Sequence, residues 1–161
     1  MKAKTKGLNM KKAGFTLVEL MVSISVFGLL AVLSIPAFTH FRQNWKLNGE
    51  TQQFASVLRT ARSAAVMKNI DVVFTFDMDS NTYWYYEDQD GNRSRGASEY
   101  LSSTYELTPG VIITAHTFPS RTLVFGSKGN TSNSGTITLR SSNHKSKGIR
   151  IYGGTGNISV D

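Results

Sequence analysis

From Phe15 to Ile35 the chain runs for 21 residues with one ionisable side chain, Glu19. No other feature limits the fold as much. About 20 predominantly apolar residues are enough for a helix to cross the hydrocarbon core of a bilayer. A cleavable secretory signal has an apolar region of roughly 7–15 residues followed by a small-residue cleavage site. This run is longer, and no such site follows it. A membrane anchor is therefore the preferred reading. A cleaved signal and a buried core helix stay as the alternatives.

The charge balance supports an anchor. The formal net charge is +7, from 18 basic and 11 acidic residues. Lys2, Lys4, Lys6, Lys11 and Lys12 all precede Gly14, which leaves 13 basic residues against 11 acidic ones after it. A basic cluster before an apolar segment holds that end in the cytoplasm. The basic character thus reads first as an orientation signal, not as a nucleic-acid surface. The chain has no cysteine, so a disulfide framework and a cysteine metal site are both excluded.

Glu19 is the anomaly of the segment. A charged acid deep in a transmembrane helix costs on the order of 2.5–3.5 kcal/mol on insertion scales. It lies one turn inside the run, so it could reach back to the interface. It could also await a cation from outside the segment. Cleavage after Gly14 would create one, because an α-amine with a pKa of about 7.7–8.0 is largely protonated at neutral pH. The amine of one copy could then meet Glu19 of its neighbour within lipid.

The stretch KKAGFTLVELMVSISVFGLLAVLSIPAF resembles the class III signal sequence of type IV pilins and type II secretion pseudopilins. The resemblance covers about 28 residues. It implies that a prepilin peptidase cuts between Gly14 and Phe15, that Phe15 is then N-methylated, and that Glu19 is an assembly charge. It implies a helix bend at Pro36, which removes a backbone donor and clashes with the preceding turn. It also implies a single-pass protein of the bacterial inner membrane with a periplasmic head, which later enters a pilus or pseudopilus.

Beyond Pro36 the pattern stays helical. Leu47, Phe54, Val57, Leu58, Ala61, Ala65 and Met67 recur at roughly helical spacing and form the stripe expected to pack on a head. Asn48-Gly49 is a second weak point in the helix. From Ile70 the period shortens. IDVVFTF, TYWYYE, GVIITAHTF, RTLVFG, GTITLR, GIRIYG and NISV read as about seven strands between turn residues. The fold expected is α+β and pilin-like, a long N-terminal transmembrane α-helix packed on a mainly antiparallel β-sheet head. Its parts are a cleaved basic leader (1–14), a transmembrane helix (15–36), an amphipathic continuation (37–69) and a β-rich head (70–161). The polar loop Gly91–Thr108 is long enough to be mobile or functional.

The head resembles the GspH/FimT group of H-type pseudopilins and minor pilins. The pieces that carry this are Ala61-Arg62-x-x-Ala65 at the helix end, Phe125-x-x-x-Gly129, Gly135-Thr-Ile-x-Leu139, and a closing Thr155-Gly156-x-Ile158. The resemblance implies a low-copy structural subunit and not an enzyme. Its implied partners are other pilins or pseudopilins.

Signs of chemistry are sparse. His40, His116 and His144 lack metal-ligand spacing. Asp88-Gln-Asp90-Gly-Asn92 has some likeness to a calcium loop, with Glu99 at the twelfth position. Arg93 stands where that template needs glycine, so a hairpin turn is the simpler reading. No nucleophile triad or phosphate loop is present, and no cofactor or metal is implied. Tyr83 and Tyr85 should face one side of a strand and Trp84 and Tyr86 the other, one side packing on the helix and the other free for a protein contact or stacking. Some minor pilins take up DNA through a C-terminal G-R-x-R motif. Here Gly156-Asn-Ile-Ser159 stands in its place without either arginine. Lys145, Lys147 and Arg150, with His144, remain as a basic patch for DNA or an acidic partner.

Overall fold

The computed structural model describes residues 14–161, and of 34–37 the backbone only. The expected leader, Gly14 apart, lies outside the described residues. One helix, α1 (Leu17–Lys68), is followed by eight strands: β1 (Asp71–Asp77), β2 (Thr82–Asp88), β3 (Tyr105–Glu106), β4 (Val111–His116), β5 (Thr122–Phe125), β6 (Gly135–Ser141), β7 (Ser146–Tyr152) and β8 (Asn157–Val160). The chain divides into two units, Met1–Thr39 and His40–Asp161.

In the first unit the described apolar side chains of α1, from Leu17 to Leu33, lie exposed. Thr16 starts the helix: its hydroxyl accepts the Glu19 N–H at 3.2 Å, the N-cap arrangement that satisfies an orphan amide. The helical backbone continues through Pro36 and through Asn48-Gly49.

In the second unit α1 is amphipathic. Leu47, Thr51, Phe54, Leu58, Ala61 and Ala65 are buried at helical spacing, so one stripe faces the sheets. Met67 departs from the expected stripe: it is 85% exposed, because it lies about two residues' rotation from Ala65 and turns to the outside. The helix stops at Asn69, which adopts φ 54°, while the Ile70 N–H donates to the Ala65 carbonyl at 3.2 Å. This is the left-handed stop of a Schellman motif.

The strands form two antiparallel four-stranded sheets, β3-β2-β1-β5 and β4-β6-β7-β8. β3 has only two residues and is not legible in the sequence. Inward side chains of both sheets meet the helix stripe in one core, with Phe54 against Tyr83 (4.2 Å between ring centroids) and Phe74 (5.5 Å). The β1–β2 hairpin turns at Asn81, itself at φ 54°. Its carbonyl accepts from Leu107 at 3.1 Å and its Oδ1 from Ile113 at 2.9 Å. One side chain thereby ties the first sheet to a strand of the second.

Candidate assembly surface

Of the N-terminal residues singled out in the sequence, Glu19 and Pro36 fall on α1, and Gly14 and Phe15 lie just before it. Phe15 precedes α1 and is 79% exposed. Glu19 is in the first turn, where a carboxylate is favoured by the helix dipole. Its carbonyl accepts the Ser23 hydroxyl at 2.7 Å, and the Met21 carbonyl accepts that of Ser25 at 2.8 Å. Both serines therefore satisfy their hydroxyls inside their own helix, which lowers the cost of an apolar environment. Thr16-x-x-Glu19 also has capping-box spacing, a local signal for where the helix begins. α1 is long and apolar enough to cross a membrane. Pro36 lies within it, with its side chain outside the described residues.

In the head, pieces far apart in sequence converge on Arg62. Its Nε donates to the Gly129 carbonyl at 2.8 Å and its Nη2 to the Thr155 carbonyl at 2.9 Å. Gly129 and Gly156 both have positive φ, 74° and 63°. A Cβ on Gly156 would stand 2.0 Å from the Gly129 carbonyl oxygen. The two loops cross backbone on backbone beneath one guanidinium, whose fork suits two acceptors. The Ala-Arg-x-x-Ala helix end, Phe125-x-x-x-Gly129 and Thr155-Gly156 thus form a single clasp. Ala61 and Ala65 are fully buried beside it.

Two buried acids escape the sequence reading. Glu50 sits on the apolar stripe, 8% exposed, and accepts from the Thr108 hydroxyl. Burial first, then the Glu50 charge, pushes the Tyr83 phenol above the ordinary tyrosine range. Glu87 is 4% exposed and takes the Lys68 ammonium at 2.7 and 2.9 Å. Glu50 is discoverable, since it precedes Phe54 by one turn on the stripe. Glu87 follows from the strand period, which sets it on the face of Tyr83 and Tyr85.

The proposed basic patch is divided. Lys147 lies opposite Leu139 in the β6–β7 ladder, on the core-side face of β7. Arg150 is on the other face and pairs with Asp161 at 3.0 Å. Lys145 precedes β7, beside His144 in the turn. Asp88, Asp90 and Glu99 bring carboxylate oxygens within 4.8 Å of one another. Asp88 accepts the N–H groups of Gly91 (2.9 Å) and Arg93 (3.0 Å), and Glu99 those of Gln89 (2.9 Å) and Gly96 (2.6 Å). These acids therefore fold the loop after β2. Tyr83 and Tyr85 point into the core, and Trp84 and Tyr86 to the far side of the sheet, as the strand period predicts.

Comparison with known proteins agrees with this geometry. Residues 9–35 match the prokaryotic N-terminal methylation motif. A fimbrial protein of Pseudomonas aeruginosa is 30% identical over 60 residues, which are 37% of this chain and 38% of that protein. The match thus spans little more than a third of that relative. The minor pseudopilin EpsH from the type 2 secretion system of Vibrio cholerae has a similar fold, with a TM-score of 0.57 at 13% identity over 72% of this chain and 96% of the other. The type IV minor pilin FimU of Pseudomonas aeruginosa gives 0.58 at 13% identity, over 75% and 92%. At that identity the likeness is one of fold. Residues 50–155 match the model of the type II transport protein GspH, and the chain belongs to this family of minor pilins and pseudopilins.

Proposed function

We propose that this chain is a structural subunit that primes or caps a type IV pilus or a type II secretion pseudopilus. The observation that carries the reading is α1 from Leu17 to Leu33, apolar on every side, exposed, and bearing Glu19 as its one ionisable group. Such a surface needs lipid or the helices of other subunits around it. In this reading a prepilin peptidase cuts between Gly14 and Phe15 and Phe15 is methylated. The chain waits as a single-pass inner-membrane protein with its head in the periplasm. Glu19 then meets the N-terminal amine of a neighbouring subunit and sets its register in the filament. Charge pairing of that kind offsets the cost of an acid in lipid.

The test is Glu19→Ala in cells that assemble the filament. The expected result is normal membrane insertion with at least a tenfold loss of the protein from sheared filaments or cross-linked tip complexes. Incorporation at the normal level would refute the role. The DNA-uptake alternative has little support, since Arg150 is already paired and Lys147 lies on the opposite face of β7 from it. Removing Lys145 and Lys147 should leave any weak DNA retention by the chain unchanged in a salt-titrated gel shift.

A further inference from the structure

The far side of the first sheet carries a surface that the assembly helix does not account for. Trp84, Arg95, Leu101 and Thr104 line a depression of about 390 Å³ there. Its rim is the loop after β2, and that loop holds its charges in an inverted order. Asp88 and Glu99 are buried and accept backbone N–H groups. Asp90 is engaged by Asn92, through its N–H at 3.1 Å and its side-chain amide at 2.6 Å. Arg93 and Arg95 are exposed. Among the described residues neither guanidinium has an ion-pair or hydrogen-bond partner, although three carboxylates share the loop.

The outward setting is built. Arg93 has φ 56°, a conformation that costs a residue other than glycine about 1–3 kcal/mol and persists only when its surroundings enforce it. Asp88 holds its N–H at 3.0 Å and the Tyr86 hydroxyl holds its carbonyl at 2.8 Å. A strand bridge between Tyr86 and Leu101 closes the other end of the loop. An indole in an apolar depression, with the unpaired Arg95 in its lining and the unpaired Arg93 two residues away on the same loop, has the composition of a protein-binding hot spot. Arginine favours bidentate contact with carboxylate.

We infer that Trp84, Arg93 and Arg95 form a docking site for an acidic segment of a different subunit of the same filament. One apolar side chain of that segment enters the Trp84 depression, and its flanking carboxylates meet the two arginines. The partner is not a second copy. In the described head only Asp71 and Glu106 have carboxylates free of hydrogen bonds and ion pairs, and they lie on different strands of the sheet. The acidic clusters of a second copy are already engaged among its described residues: Asp77 and Asp79 share Arg121, and Asp88, Asp90 and Glu99 accept hydrogen bonds within their own loop. The identity of the partner as a filament subunit rests on the proposed function, whereas the chemistry of the site does not.

The chain has two tryptophans, so Trp45→Phe leaves Trp84 as the one indole reporter. The full chain in detergent is titrated with a capped synthetic peptide in which one phenylalanine is flanked on each side by two acidic residues. The expected result is a saturable change in Trp84 emission. The double change Arg93→Gln and Arg95→Gln should weaken it at least tenfold with an unaltered melting temperature. The peptide with amides in place of its acids should fail to bind. Absence of a saturable signal, equal binding by the amide peptide, or equal binding by the double variant would overturn the inference. So would tighter binding of a single-stranded oligonucleotide lost on the same changes. Binding is read on the isolated chain, and Glu19→Ala should leave it intact. A failure here is thus separate from a failure of the assembly reading.

Discussion

Single residues hold this head together at points where one group serves several elements. Arg62 bonds two loop carbonyls from one helix position, and hydrogen bonds from charged groups contribute about 1.5–3 kcal/mol each. Arg62→Ala should lower the unfolding free energy by roughly that amount or more in a denaturant titration, and Arg62→Lys should recover only part of it. Gly156→Ala should be at least as damaging, since the methyl group would meet the Gly129 carbonyl. Lys68→Ala would strand the buried Glu87 carboxylate, at an expected cost of about 1–3 kcal/mol. Asp77 behaves differently. The Ser80 hydroxyl, then the Asp79 N–H, hold its carboxyl below the ordinary aspartate range, with Arg121 adding to the effect. A lowered folded value means that its contribution is present above the unfolded value of about 3.9 and is lost as pH falls through the folded one. Acid unfolding followed by circular dichroism should therefore lose a component below about pH 3.9 in Asp77→Asn.

At the scale of elements, α1 performs two different tasks along its length. Its first half is apolar all round and its second half is striped, and each is readable from periodicity alone. The change of period at Ile70 locates the strands, because β-branched and aromatic runs alternate with turn residues there. The two-residue β3 is illegible, since so short a strand carries no period. Met67 falls off the stripe for a physical reason: roughly helical spacing admits a residue two positions past Ala65, but a rotation of 100° per residue carries it to the outside. Two substitutions check this division. Phe54→Ala should cost about 3–5 kcal/mol, as its ring fills the space between Phe74 and Tyr83. Met67→Ser should change stability by less than about 0.5 kcal/mol in the same titration.

For the whole molecule, the candidate site is legible at its N-terminal end and scattered elsewhere. A contiguous stretch from Gly14 to Phe38 announces an anchor with one acid. The clasp around Arg62 needs three segments separated by 67 and 93 residues in sequence, so its pieces can be named there but not assembled. The basic patch is split between faces for the converse reason. Lys147 and Arg150 are near in sequence, yet an odd offset along a strand sends them to opposite faces. In the proposed function an apolar helix, an acid within it and a two-sheet head make one subunit, delivered to a filament through the membrane. That role depends on a new N-terminus at Phe15. The most direct measurement is the N-terminal mass and sequence of the protein recovered from membranes with an active prepilin peptidase. A chain beginning at Phe15, carrying a methyl group, is the predicted result. A chain still beginning at Met1 would leave Glu19 without its partner and would contradict the proposed role.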